Sequence, residues 1–196
     1  MKKSKILMIS GSLLLFSLFV FPLWNITLEA PQYPIPLGMN IWVNKLVGHQ
    51  EGDIQNINLM NHYVGMKPLP EHMKEFDVFP IVIIVMGILG IALGFIGNKK
   101  LFLTWFIVMA LLGIAGIYDF YLWEYDYGHN LSDKAAIKIP GMAYQPPLIG
   151  SKKILNFTAV SSPLTGAYLL FLGMFMTLAA FFVARKEDKM AKKKSS

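Results

Sequence analysis

The chain has 196 residues, of which 55% are hydrophobic and 15% charged, with a formal net charge of +6. That apolar share, with a positive mean hydropathy, excludes an ordinary soluble domain and points to a membrane protein. There is no cysteine, so disulfides, thiolate zinc sites and thiol redox chemistry are excluded, and a soft-metal site must draw on histidine and methionine.

Four apolar stretches, 6–24, 78–97, 101–122 and 164–184, each approach the roughly 20 residues that a spanning helix needs. Backbone groups inside lipid must be satisfied internally, so such unbroken runs read as helices. The first follows Lys2, Lys3 and Lys5 and resembles a signal peptide in outline, but its apolar run exceeds the usual h-region and no small-x-small site follows. A retained anchor over 1–24 is therefore expected. The segment 25–77 opens with Pro31, Pro34 and Pro36, which forbid helix and favour an extended path. A short strand is expected over 39–43 and a turn over 48–52. Asp53 is read as the N-cap of a helix over 54–64, closed by Gly65 and kept from continuing by Pro68 and Pro70.

Spans two and three are joined only by 98–100 and must form an antiparallel hairpin over 78–122. Gly90 and Gly94 form a small-xxx-small pattern that suits tight packing inside a bundle, with homo-oligomerisation as the sharper alternative. The segment 123–163 begins with Trp123, Glu124, Tyr125, Asp126 and Tyr127, whose aromatic rings suit a membrane interface. Gly141, Pro146 and Pro147 make its later part irregular. The fourth span, 164–184, leads into a basic tail, 185–196. Asn25 with Thr27 and Asn156 with Thr158 match the glycosylation pattern, which recurs often by chance.

The start of the chain, the 98–100 turn and the tail hold 11 of the 18 basic residues and two of the 12 acids. The positive-inside rule then places both termini in the cytoplasm and 25–77 and 123–163 outside, as in a multi-pass protein of a bacterial inner membrane. Basic residues beside a bilayer set topology or touch anionic lipid, so the charge is no sign of a nucleic-acid partner.

All four histidines fall in the two outer segments. His62 and Met66 lie four apart at the end of the 54–64 helix, and imidazole with thioether is a donor pair suited to Cu(I). His72 and Met73 follow, and His129 and Met142 lie in the second segment, while His49, Met39 and Met60 add to the outer donors. Each methionine also has a plainer reading as core packing. A harder site is conceivable from Asp119, Glu124 and Asp126, because ionisable groups near a span tend to face a polar cavity.

Several motifs resemble a bacterial family of small membrane proteins whose genes accompany those for nitrous oxide reductase and its copper-delivery lipoprotein. They are Ala30, Pro31, Gln32, Tyr33, Pro34; Asn61, His62, Tyr63, Val64, Gly65, Met66; Tyr118, Asp119, Phe120; Tyr127, Gly128, His129; and Gln145, Pro146, Pro147, Leu148, Ile149, Gly150. The resemblance runs over nearly the whole chain. It implies an accessory role in copper or electron supply.

The expected fold is an α-helical membrane protein, a four-helix transmembrane bundle carrying a small mixed α/β extracytoplasmic cap. The expected function is a copper-binding accessory protein that supports assembly of an extracytoplasmic copper enzyme, with copper as Cu(I) on His62, Met66, His129, Met142, His72 and Met73. Partners would be the bilayer and that enzyme or a copper-delivery protein. The alternatives are a membrane redox or enzyme subunit using the Asp119, Glu124 and Asp126 group, and a metal-free scaffold. No hydrolase constellation, phosphate loop or dinucleotide fingerprint is present in the sequence, so an enzyme is the less favoured class.

Overall fold

A computed structural model describes residues 1–194. The elements run α1 (Lys3–Leu13), a 3₁₀ helix (Leu14–Phe19), β1 (Trp24–Glu29), β2 (Leu37–Ile41), β3 (Leu46–Gly48), α2 (Asp53–Val64), α3 (Glu75–Ile96), α4 (Lys99–His129), β4 (Gly150–Ile154), β5 (Phe157–Pro163) and α5 (Thr165–Lys194).

The expected four-helix transmembrane bundle is corrected by this architecture. The fold is mixed α/β, built on five helices and a five-stranded antiparallel sheet among the described residues. Three of those helices, Glu75–Ile96, Lys99–His129 and Thr165–Lys193, are long and apolar enough to cross a membrane. The first apolar stretch does not make a continuous helix. It tightens to 3₁₀ after Leu13, where the Ser17 hydroxyl donates to the Leu14 carbonyl at 2.6 Å. The Val20 and Phe21 amides then both donate to the Ser17 carbonyl, and Pro22 has no N–H with which to continue. The chain turns there, so Trp24, expected to end a span, begins a strand instead.

α1 and the 3₁₀ helix nevertheless pack closely on α3 and α5. Gly11 and Gly173 meet backbone to backbone, and a Cβ on either would crowd the other's carbonyl oxygen. Gly87, Gly90 and Gly94 of α3 receive Phe16, Ser12 and Ile9, which places the small-residue stripe inside the molecule. Ser4 Oγ donates to Glu187 Oε2 at 2.6 Å, and Lys99 Nζ donates to Asp188 Oδ2 at 2.7 Å, so both acids of the basic tail are engaged. The α3–α4 turn is made by Gly97 in the left-handed region (φ +79°), and Asn98 caps α4 by accepting from the Lys100 amide at 2.9 Å.

The sheet order is β3-β2-β1-β5-β4, with β1 at the centre. Its alternation places Trp24, Ile26 and Leu28 on one face, opposite Ile41, Met39 and Leu37 of β2. β1 pairs with β5 over its whole length, from Trp24 opposite Pro163 to Glu29 opposite Thr158. The two long polar segments are therefore hydrogen-bonded into one sheet. α2 lies against that sheet, with Ile57 buried beside Trp24, Ile26, Leu37 and Met39. Asp53 begins α2 but does not cap it, since Gly52 holds the N-cap position. Its carboxylate accepts instead from the Gly38 and Gln50 amides, both at 3.1 Å, and ties the helix to the β2–β3 region.

Candidate functional site

At 31 residues, α4 is about 46 Å long, while a hydrocarbon core is about 30 Å thick. The helix is therefore longer than a membrane's apolar depth, and its final turns dock on the sheet. Every third or fourth residue there turns inward: Phe120, then Trp123 and Glu124, then Tyr127 and Gly128. Trp24 meets Phe120 edge-on at 5.7 Å, and Trp123 lies 4.6 Å from Tyr127, ring centre to ring centre. The Tyr127 hydroxyl donates to the Pro68 carbonyl at 2.9 Å, and the Tyr144 amide donates to the Gly128 carbonyl at 2.9 Å. Gly128 has no side chain because the Gln145 backbone occupies the place where a Cβ would stand. These contacts join the end of α4 to the segment between α2 and α3 and to the loop that follows α4.

Between the sheet face, α2 and the end of α4 lies a cavity of about 230 Å³. Its walls are mostly apolar and aromatic, with Tyr63, Trp123, Tyr127, Tyr144 and Phe157 among them. Three methionines are among the residues that line it, Met39 from β2, Met60 from α2 and Met66 from just beyond α2. Met66 reaches the cavity because α2 ends abruptly. Gly65, at φ +83°, reverses the chain, and the Met66 amide bonds back to the Asn61 carbonyl at 2.8 Å.

Glu124 also lines this cavity. It is 0% exposed, and neither carboxylate oxygen has a hydrogen-bond partner. Tyr144, 2% exposed, likewise presents a hydroxyl with no partner. Burying a polar group without a hydrogen bond costs about 1–3 kcal/mol, and an uncompensated charge costs far more.

The residues expected as ligands are distributed differently. His62 is exposed and makes an edge-on contact with Tyr63, with centroids 6.2 Å apart, while Met66 lines the cavity. His72 Nε2 stands 2.9 Å from Asp77 Oδ2 on the surface. His129 stacks on Tyr125 at 3.9 Å, its Nδ1 3.0 Å from the Tyr125 carbonyl oxygen. His49 sits over Gly38, with Nε2 3.2 Å from Asn40 Oδ1. Met142 packs with Met66 around the buried cluster of Val64, Tyr144, Ile154 and Ala159, and Met73 is half-buried just ahead of α3. Asp126 accepts from Lys67 at 2.7 Å and from Asn130 at 3.2 Å on an exposed face, and Asp119 lies half-buried one and a half turns before Glu124. Among the described residues, no three His, Asp or Glu side chains gather as a metal site.

The structure thus brings together methionines and one acid, not histidines. Glu124 stands out in the sequence only as one of several acids. Its neighbours at three- and four-residue spacing, Phe120, Tyr127 and Gly128, could have marked it as inward-facing. Nothing in the sequence singles out Tyr144. Comparison with family models, curated proteins and solved structures finds no match.

Proposed function

We propose that this chain is a membrane-anchored accessory protein that holds Cu(I) for an extracytoplasmic copper enzyme. The observation that carries the reading is that Met39, Met60 and Met66 all line one cavity in a chain without thiols. Thioethers are soft, neutral donors that favour Cu(I) over harder divalent ions. Copper here is cargo. A recess between a sheet and a helix end suits ligand exchange, because the metal is shielded but not sealed in. The basic start, the 98–100 turn and the basic tail support an orientation with the sheet and its cavity outside the cytoplasm, where copper enzymes are loaded. The family resemblance points the same way, to nitrous oxide reductase or its delivery lipoprotein as the recipient side.

His62, His72 and His129 enter this reading as surface groups that meet an incoming donor or acceptor. The resident donors are the cavity methionines. The test is anaerobic Cu(I) titration of the full chain in mild detergent against a chromophoric competitor. Met60→Leu/Met66→Leu, which keeps apolar volume, is expected to weaken uptake by about tenfold or more. Cu(I) uptake by the double variant equal to that of the parent removes the cavity as the site.

A further inference from the structure

Resting on that reading, we infer that Glu124 is the anionic donor that completes the site, making it selective for a single monovalent soft cation. The cavity holds one carboxyl group, fully buried, with both oxygens unpartnered. No Lys, Arg or His is among the described residues lining it. The nearby Lys67 is turned outward to Asp126 at 2.7 Å, and Lys152 donates to the Gln145 carbonyl at 3.0 Å. The countercharge is therefore not supplied by the walls. A buried carboxyl without a partner is held as the neutral acid, and a cation seated beside it on the sulfur donors can take the place of its proton.

The rest of the wall defines that partner. Met39, Met60 and Met66 are uncharged sulfur donors, and such donors discriminate against Mg²⁺ and Ca²⁺, which require oxygen shells. One carboxylate balances one positive charge. A Cu(I) ion bound by three thioethers and one carboxylate forms a neutral centre, the only net charge that an apolar recess accommodates cheaply. A divalent ion in the same place would leave a buried positive charge. Four donors drawn from β2, α2, the turn after it and the end of α4 also make metal loading a clamp between the sheet and the membrane helix.

The experiment compares the full chain with Glu124→Gln, which keeps the shape and removes the charge, and with Glu71→Gln, which alters an exposed acid. All are titrated anaerobically with Cu(I) in nanodiscs and examined by X-ray absorption at the copper edge. The parent and Glu71→Gln are expected to bind one Cu(I) with a mixed sulfur and oxygen shell. Glu124→Gln is expected to bind about tenfold more weakly or worse, through sulfur alone. Equal affinity and an unchanged shell in a folded Glu124→Gln protein overturn the role of Glu124 while leaving the copper reading intact. Absence of Cu(I) binding by the parent overturns both. The aromatic walls could instead cage an organic cation, so tetramethylammonium is the third probe: stabilisation of the parent by it, with none by Cu(I), overturns the metal and assigns the recess to a quaternary ammonium.

Discussion

Alanine at Gly128 adds one methyl group where the molecule has no room for it. The new Cβ would overlap the Gln145 backbone nitrogen and α-carbon, so relief requires the end of α4 and the Tyr144 to Gln145 loop to separate. Overpacking of a buried site costs about 1–3 kcal/mol, and backbone atoms yield less readily than side-chain tips. Separation also stretches the 2.9 Å hydrogen bond from the Tyr144 amide to the Gly128 carbonyl, worth about 1 kcal/mol. Together these amount to about 2–4 kcal/mol, or roughly a 30- to 1,000-fold shift toward the opened state. The assay is hydrogen exchange of the Tyr144 amide in nanodiscs, supported by thermal unfolding followed by tryptophan fluorescence. Exchange should accelerate by that factor while the membrane helices remain protected. Gly113→Ala is the internal control: a Cβ there meets nothing within 4 Å, so it should be neutral or slightly stabilising through helix propensity. Wild-type protection of Tyr144 in Gly128→Ala refutes the close approach of α4 to the loop.

Other substitutions probe separate features. Asp53→Ala removes the acceptor of the buried Gly38 amide and of the Gln50 amide, and is expected to cost about 2–3 kcal/mol in a denaturation experiment; Asp53→Asn, which keeps one acceptor oxygen, should cost less. Lys67→Ala breaks an exposed ion pair with Asp126 and should change stability by less than about 1 kcal/mol, with the difference vanishing in high salt. Gly90→Leu drives a side chain into Ser12 and Trp105, so it should disrupt the packing of α1 on α3 and lower the thermal midpoint without creating or removing an oligomer on size-exclusion chromatography. Because the chain has no cysteine, single cysteines report topology cleanly: Glu71→Cys should react with an impermeant maleimide on intact cells, and Lys100→Cys only after permeabilisation. The opposite pattern inverts the proposed orientation.

The cavity is lined by elements contributed by distant parts of the chain. The glycine and the N-terminal boundary of α2 were readable from local signals, since a helix over 54–64 was expected and Asp53–Val64 forms. The role of Asp53 was not, because whether its carboxylate caps its own helix or binds the Gly38 amide depends on where β2 lies. β1 is the clearest case of a hidden element. Trp24, Ile26 and Leu28 alternate as a strand should, but the preceding apolar run absorbed Trp24 into a presumed span. His62 and Met66 are placed differently for a related reason, His62 exposed and Met66 at the cavity: Gly65 reverses the chain between them, and four-residue spacing implies a shared face only while a helix continues.

Hydropathy and charge settled the membrane character of the chain by themselves, because transfer into lipid is a nearly additive property of consecutive residues. Three of the four apolar runs became helices long enough to cross a bilayer. The break at Ser17 to Pro22, the pairing of β1 with a strand about 130 residues away, and the placing of three methionines and Glu124 around one cavity were decided only in three dimensions. These depend on register and packing between separate segments, and no window along the chain contains both partners.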